Sequence, residues 1–151
     1  ITTLQRPWVK KSSLSRKSKP EIGRTGITIL TPHEGEFARL GYPARERQDT
    51  AAAAARGLGC ILVLKGHRTV ITDGTRTYIN PTGNPGMAVG GSGDVLAGII
   101  TALVGQGLAP LEASACGCWL HGKAGDVCAK QLGQYGMLPT DMLDALPRLL
   151  K

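Results

Sequence analysis

The segment with the clearest capacity for chemistry is a glycine-rich loop, Asn80–Gly93, which holds five glycines in fourteen residues. Glycine adopts positive φ and lets the backbone approach a ligand closely, so Gly90, Gly91 and Gly93 favour a loop around an anion. An apolar helix is predicted directly afterwards, over Asp94–Leu103, and the unpaired N–H groups at such a helix start attract phosphate. The loop therefore predicts a phosphate site made by backbone donors rather than by a cation.

Asp94 stands in the first turn of that predicted helix, next to the predicted phosphate. An acid here either caps the helix or acts as the general base for a hydroxyl group that attacks a phosphoryl group. The loop is not a Walker loop, because no Gly-Lys-Ser/Thr follows it, and it lacks the GxGxxG spacing of dinucleotide-binding folds. Both roles of Asp94 remain open on these residues alone.

The elements that must position this loop alternate between short apolar runs and helical patterns. Strands are predicted over Ile27–Thr31 and Cys60–Leu64, and Asp73-Gly74-Thr75 predicts a hairpin turn. The hairpin strands are Thr69–Thr72 and Arg76–Ile79; the predicted helices are Glu34–Leu40, a helix through Arg56 capped by Thr50, Asp94–Leu103, Pro110–Leu132 and a last helix capped by Thr140. This alternation predicts an α/β layered sheet flanked by helices.

Charge divides the chain into two parts. Residues 1–26 hold seven lysines and arginines against one acid, whereas residues 27–151 are nearly balanced. This predicts a basic, poorly packed head over 1–26 and a folded body over 27–151. The head is typical of a nucleic-acid arm, a targeting presequence, a linker or a divergent edge of the fold.

The remaining composition narrows the class of protein. No run of about 18 apolar residues occurs, which argues against a membrane-spanning segment. The four cysteines include no CxxC pair, so we predict no zinc site but reduced, mostly buried thiols in a cytoplasmic protein.

Four segments of residues 27–151 resemble, in the same order, the motifs of the NAD(P)H-hydrate dehydratase family of the ribokinase-like superfamily. They are LTPHEGEFARL at 30–40, LKGHRT at 64–69, GNPGMAVGGSGDVLAG at 83–98 and WLHGKAGD at 119–126. The resemblance implies a ribokinase-like sheet flanked by helices. It also implies a sheet incomplete at its amino-terminal side, because the domains of that family are much longer.

The resemblance further implies an activity. The family uses ADP or ATP as co-substrate, with Mg²⁺, to dehydrate the S form of hydrated NADH or NADPH, a metabolite repair that releases AMP or ADP and phosphate. It implies a cytoplasmic enzyme, a homo-oligomer such as a tetramer, and no membrane or nucleic-acid partner.

Site residues follow from the same match, residue by residue. Asp94 corresponds to the base at the substrate hydroxyl, and His33 to a histidine that contacts the hydrated dinucleotide. His121 has no matching partner and is predicted to be structural. Gly91, Ser92 and Gly93 match the anion hole, and Lys65, Gly66, His67, Arg68 and Thr69, with Gly93, match the nucleotide site; no metal-binding side chain is implied.

Two other functions remain compatible with the sequence. A small-molecule kinase of the same superfamily, similar to hydroxyethylthiazole kinase, would use the same loop and Asp94 without elimination. A basic, non-enzymatic module would bind nucleic acid through residues 1–26. The sequence does not choose between ADP and ATP or between the two hydrates.

Overall fold

The computed structural model describes residues 26–42 and 46–150. The predicted basic head lies outside the described residues except for Gly26, so its predicted looseness stays a prediction. The strands are β1 (Ile29–Leu30), β2 (Ile61–Leu64), β3 (Val70–Thr72) and β4 (Thr77–Ile79), and the helices are α1 (Glu34–Ala38), α2 (Arg47–Leu58), α3 (Ser92–Gly105), α4 (Pro110–Leu132) and α5 (Pro139–Leu149), with a 3-10 turn at Pro85–Met87.

The strands form one mixed sheet in the order β1-β2-β3-β4. β1 runs parallel to β2, with Ile29 beside Ile61, and β2, β3 and β4 pair antiparallel. The predicted hairpin is confirmed, and the Asp73 carboxylate accepts the N–H groups of Thr75 and Arg76 in its turn. Within the described part of the chain, β1 has a strand neighbour on one side only.

The sheet is covered by helices on both faces, which confirms the predicted α/β layers. Because side chains alternate along a strand, β2 faces two cores. Leu62 and Leu64 pack with α2, whereas Ile61 and Val63 pack with α3 and α4. All four are buried, as the continuous apolar run predicts.

Two predicted helix caps are wrong. Thr50 lies inside α2, three residues after its start, and its hydroxyl donates to the Glu46 carbonyl. Thr140 lies inside α5, because Pro139 fits the first helical turn and the Asp141 carboxylate accepts the Leu138 N–H at 2.6 Å. The helix start is thus set by Pro139 and Asp141 rather than by the threonine hydroxyl.

The cysteines are free thiols, three buried and Cys116 exposed. None of the described helices combines the length and apolar character needed to cross a membrane.

Candidate active site

A cavity of about 970 Å³ opens where β1 and β2 end. Because these two strands are parallel, their carboxyl ends meet at one edge of the sheet, the place where α/β proteins bind ligands. β1 leads to His33 and β2 leads to the segment Lys65–Thr69, and both line the cavity. The glycine-rich loop, α3 and α4 supply most of the remaining wall.

Most of the site residues predicted from the sequence line the cavity. The lining includes His33, Lys65, Gly66, His67, Arg68, Thr69, Ser92 and Gly93. Gly91 and Asp94 are not part of the lining, and both are exposed. Asp94 follows the lining residue Gly93 in the first turn of α3.

The start of α3 combines a left-handed glycine, an unpaired backbone N–H and a nearby cation. Gly91 precedes the helix with φ at +91°, a conformation that favours glycine. The Gly93 N–H donates to no backbone carbonyl of the described residues. A Cβ added to Gly93 would lie 3.2 Å from the Lys65 ammonium nitrogen. The sequence predicts backbone donors rather than a cation here, and that stays a prediction; the structure places the Lys65 ammonium close to Gly93.

His33 combines a structural task with a place at the cavity. Its Nδ1 accepts the Glu36 N–H at 3.2 Å, and the Glu36 carboxylate accepts the His33 N–H at 2.8 Å, which caps α1. Because Nδ1 acts as an acceptor, the neutral ring carries its proton on Nε2. The side chain is 59% exposed, and Nε2 lies 3.8 Å from the Glu36 carboxylate, so this N–H is within reach of both that carboxylate and a ligand in the cavity.

His121 has a partner that the sequence did not reveal. Its Nε2 lies 3.3 Å from the Ser92 hydroxyl oxygen, and both residues are buried at the cavity wall. Burial lowers the pKa of His121 to about 4, and the nearby Lys65 ammonium adds to the effect. The imidazole is therefore neutral near pH 7, and its hydrogen bond with the Ser92 hydroxyl orients that hydroxyl at the start of α3.

We expect this buried histidine to make stability depend on pH. The unfolded chain takes up a proton near the ordinary pKa of 6.5, whereas folded His121 does so only near 4. The free energy of unfolding therefore falls by up to about 3 kcal/mol as pH drops from 6.5 to 4. Below pH 4, the contribution of His121 no longer changes with pH. Urea unfolding measured between pH 6.5 and 4 should show a smaller loss of unfolding free energy for His121→Gln than for the wild type. The exposed His67→Gln variant is the control, and an equal loss in His121→Gln would contradict the assignment.

The late helix α4 fixes the glycine-rich loop through side chains that sequence reasoning did not assign. The Asp126 carboxylate accepts the Gly83 N–H at 3.2 Å and the Asn84 side-chain amide at 3.1 Å. A Cβ on Gly122 would overlap the Thr82 hydroxyl oxygen, so only glycine lets the loop pack there. The i, i+4 spacing of Gly122 and Asp126 on one helix face is the signal that could have found them.

Comparison with known protein families matches this chain over most of its length. A family model described as NAD(P)H-hydrate dehydratase covers residues 12–148, and so extends into the basic head. A bifunctional NAD(P)H-hydrate repair enzyme of Moorella thermoacetica is 51% identical over 147 residues, which span 93% of this chain and 28% of that enzyme. An ADP-dependent (S)-NAD(P)H-hydrate dehydratase of Neisseria meningitidis is 47% identical over 111 residues, 70% of this chain and 38% of the relative.

Solved structures agree with the predicted ribokinase-like fold. An ADP/ATP-dependent NAD(P)H-hydrate dehydratase from Bacillus subtilis, co-crystallised with ATP and Mg²⁺, aligns with a TM-score of 0.81 and 34% identity. The alignment covers 88% of this chain and 50% of the enzyme. A ribokinase-like protein from Enterococcus faecalis aligns with a TM-score of 0.71 and 38% identity, covering 81% of this chain and 43% of that protein. The chain thus spans about half of these solved proteins, and less of its curated relatives.

Proposed function

The chain belongs to the NAD(P)H-hydrate dehydratase family, and on this premise we propose that its cavity dehydrates the S form of hydrated NADH or NADPH with ADP or ATP. Phosphoryl transfer to the ring hydroxyl replaces a poor leaving group, hydroxide, by phosphate. Loss of phosphate and of a ring proton then restores the double bond. The products are NADH or NADPH, phosphate, and AMP from ADP or ADP from ATP.

The observation that carries this proposal is the anion site at the start of α3. The unpaired Gly93 N–H and the Lys65 ammonium lie together at the wall of one cavity. Donors fixed in this way stabilise the charge that develops on a phosphoryl group during transfer. The Ser92 hydroxyl, oriented by neutral His121, supplies a further donor or acceptor there.

We infer that Asp94 takes the proton of the attacking hydroxyl. It follows Gly93 directly, and its carboxylate has no hydrogen bond or ion pair with a described residue. A carboxylate next to a phosphoryl site and open to solvent can accept a proton from a bound substrate. It therefore acts as the general base of the phosphoryl transfer step.

Mg²⁺ fits this site as part of the nucleotide complex. The described residues contain no cluster of three or more metal-ligating side chains. Mg²⁺ in phosphoryl-transfer sites keeps several waters and uses substrate phosphates with one or two carboxylates. The carboxylates that would contribute are Glu34 in the cavity wall, whose Oε1 also accepts from Arg47, and Asp94, which follows Gly93. The ion would neutralise phosphate charge.

The direct test is a nucleotide-dependent return of the near-ultraviolet absorbance of reduced nicotinamide when the chain is given hydrated NADH. We expect this absorbance with ADP or ATP and none without nucleotide. Phosphorylated hydrate that accumulates without reduced nicotinamide would instead indicate the kinase alternative. Absence of both products together with absence of nucleotide binding would contradict the proposal.

His33 offers a test of the dinucleotide side of the cavity. We expect His33→Asn to raise the KM for the hydrate about tenfold, since it removes a hydrogen bond to the substrate, while ADP affinity stays near the wild-type value. Asparagine retains the capping acceptor of α1, so stability should change little. Steady-state kinetics and ADP titration measure the two effects, and a parallel loss of both affinities would assign His33 a purely structural role.

A further inference from the structure

Arg47, the first residue of α2, does not line the cavity but binds the segment that does. Its guanidinium is held by the Glu34 carboxylate, which accepts from Nε at 2.8 Å. The other two nitrogens reach four backbone carbonyls within five residues. Nη2 donates to Leu64 and Lys65, both at 3.1 Å, and Nη1 donates to His67 at 3.1 Å and to Arg68 at 2.8 Å.

These contacts decide where the N–H groups of the segment point. In a trans peptide the N–H is directed opposite to the carbonyl of the preceding residue. The N–H groups of Gly66, Arg68 and Thr69 therefore point away from Arg47. No described residue accepts a hydrogen bond from the Gly66 or Arg68 N–H, and both residues line the cavity. The Thr69 N–H instead faces the Gly66 carbonyl inside the turn at His67 and Arg68, and the Thr69 hydroxyl donates to the same carbonyl at 3.0 Å.

The backbone of the segment is also unusual in a way that Arg47 explains. Arg68 has φ at +55° and is the only non-glycine residue with positive φ among the described residues. Such a conformation persists where surrounding contacts hold it, and the Arg68 carbonyl carries the shortest of the four bonds. A Cβ on Gly66 would lie 2.8 Å from Nη2, so the absence of a side chain at this position lets the Arg47 guanidinium lie close to the backbone of the segment.

We propose that Arg47 is a positioning residue of the nucleotide site, which turns the N–H groups of Gly66 and Arg68 toward the phosphate oxygens of the nucleotide. Neighbouring backbone N–H groups in such turns form concavities that bind anions. The inference rests on the proposed function, because that function supplies the nucleotide. The inference adds to the proposed function a residue, Arg47, that lies outside the cavity and acts through the segment Lys65–Thr69.

Limited trypsin digestion tests the mechanical part of this proposal without any ligand. Trypsin cleaves after Lys65 and Arg68, whose carbonyls Arg47 holds, and cleavage in a folded protein requires local release. We expect Arg47→Lys to speed cleavage at both bonds about tenfold, because lysine keeps the charge but cannot bridge four carbonyls. Arg56→Lys on the same helix is the control, since Arg56 donates to Gly74 outside the cavity wall.

A second variant keeps the test decisive if Arg47→Lys does not fold. Glu34→Gln leaves Arg47 in place but removes its charged partner, and we expect about two- to fivefold faster cleavage at the same bonds. Circular dichroism establishes which variants are folded. Cleavage at the wild-type rate in a folded Arg47→Lys protein, or in Glu34→Gln where that variant must serve, overturns the proposal.

Nucleotide binding then separates this inference from the proposed function. We expect Arg47→Lys to weaken ADP about tenfold and adenosine hardly at all, because only ADP carries the phosphates that the loop binds. A merely structural role would weaken both equally, and that result overturns the positioning role. A wild-type chain that binds neither ADP nor ATP contradicts the proposed function itself, whatever the trypsin result.

Discussion

Asp94→Asn is expected to lower turnover of hydrated NADH by about 10²–10⁴-fold, the range that general base catalysis contributes. Asparagine keeps the size and polarity of the side chain but cannot accept the proton of the attacking hydroxyl. Nucleotide affinity should survive or rise, because a negative charge next to the phosphate site is removed. Single-turnover kinetics with saturating ADP measures the first effect, and ADP titration measures the second.

The control is Asp144→Asn, the same chemical change at an exposed position of α5 outside the cavity wall. Its turnover should match the wild type. Stability should also be similar in both variants, since Asp94 lies in the first turn of α3, where asparagine is tolerated. A folded Asp94→Asn protein with near-normal turnover would assign the acid to the helix start alone and exclude it as the base.

The parts of the fold that the sequence predicts are those set by local pattern. The continuous apolar run at 60–64 gives the buried strand β2, and Pro110 opens α4, which ends at Leu132 as predicted. The Asp73-Gly74-Thr75 turn gives the hairpin of β3 and β4. In each case the determinant lies within the element itself, so tertiary packing reinforces the local preference.

The threonine caps fail because a local preference can be met in several ways. Threonine is a good cap, but Pro139 and Asp141 together start α5 one residue before Thr140. At α2 the Thr50 hydroxyl instead bonds the Glu46 carbonyl, a back-bond available inside a helix. Hydrophobic spacing does not distinguish these choices.

The residues that support the site depend on contacts across long stretches of chain. His121 meets Ser92 across 29 residues, and Asp126 meets Gly83 across 43. No periodic pattern in the sequence indicates that such residues are in contact. The glycine-rich loop, by contrast, can be identified from its local composition. Sequence reasoning could therefore identify many residues of the cavity wall. The residues that hold that wall, Arg47, His121 and Asp126, could be identified only from the folded structure.

Gly93→Val should weaken ADP and ATP about 10- to 100-fold, because overpacking of this kind costs about 1–3 kcal/mol. A first added carbon at residue 93 already lies 3.2 Å from the Lys65 ammonium nitrogen. That nitrogen ends a flexible side chain and can move aside, so Gly93→Ala should lose only a few-fold. Valine adds two methyl groups on a stiff Cβ, which fill the space of the phosphate and displace the ammonium.

Gly98→Val is the matched control, since Gly98 lies on the same helix with open space around its Cβ position. It carries the same loss of helix flexibility and the same side chain, but it is outside the cavity wall. Isothermal titration with ADP should rank the affinities as wild type and Gly98→Val together, then Gly93→Ala, then Gly93→Val. Equal affinity in folded Gly93→Val and Gly98→Val proteins would mean that phosphate is not bound at the start of α3. The Lys65 ammonium would then be left with its ion pair to the Glu36 carboxylate at 4.0 Å.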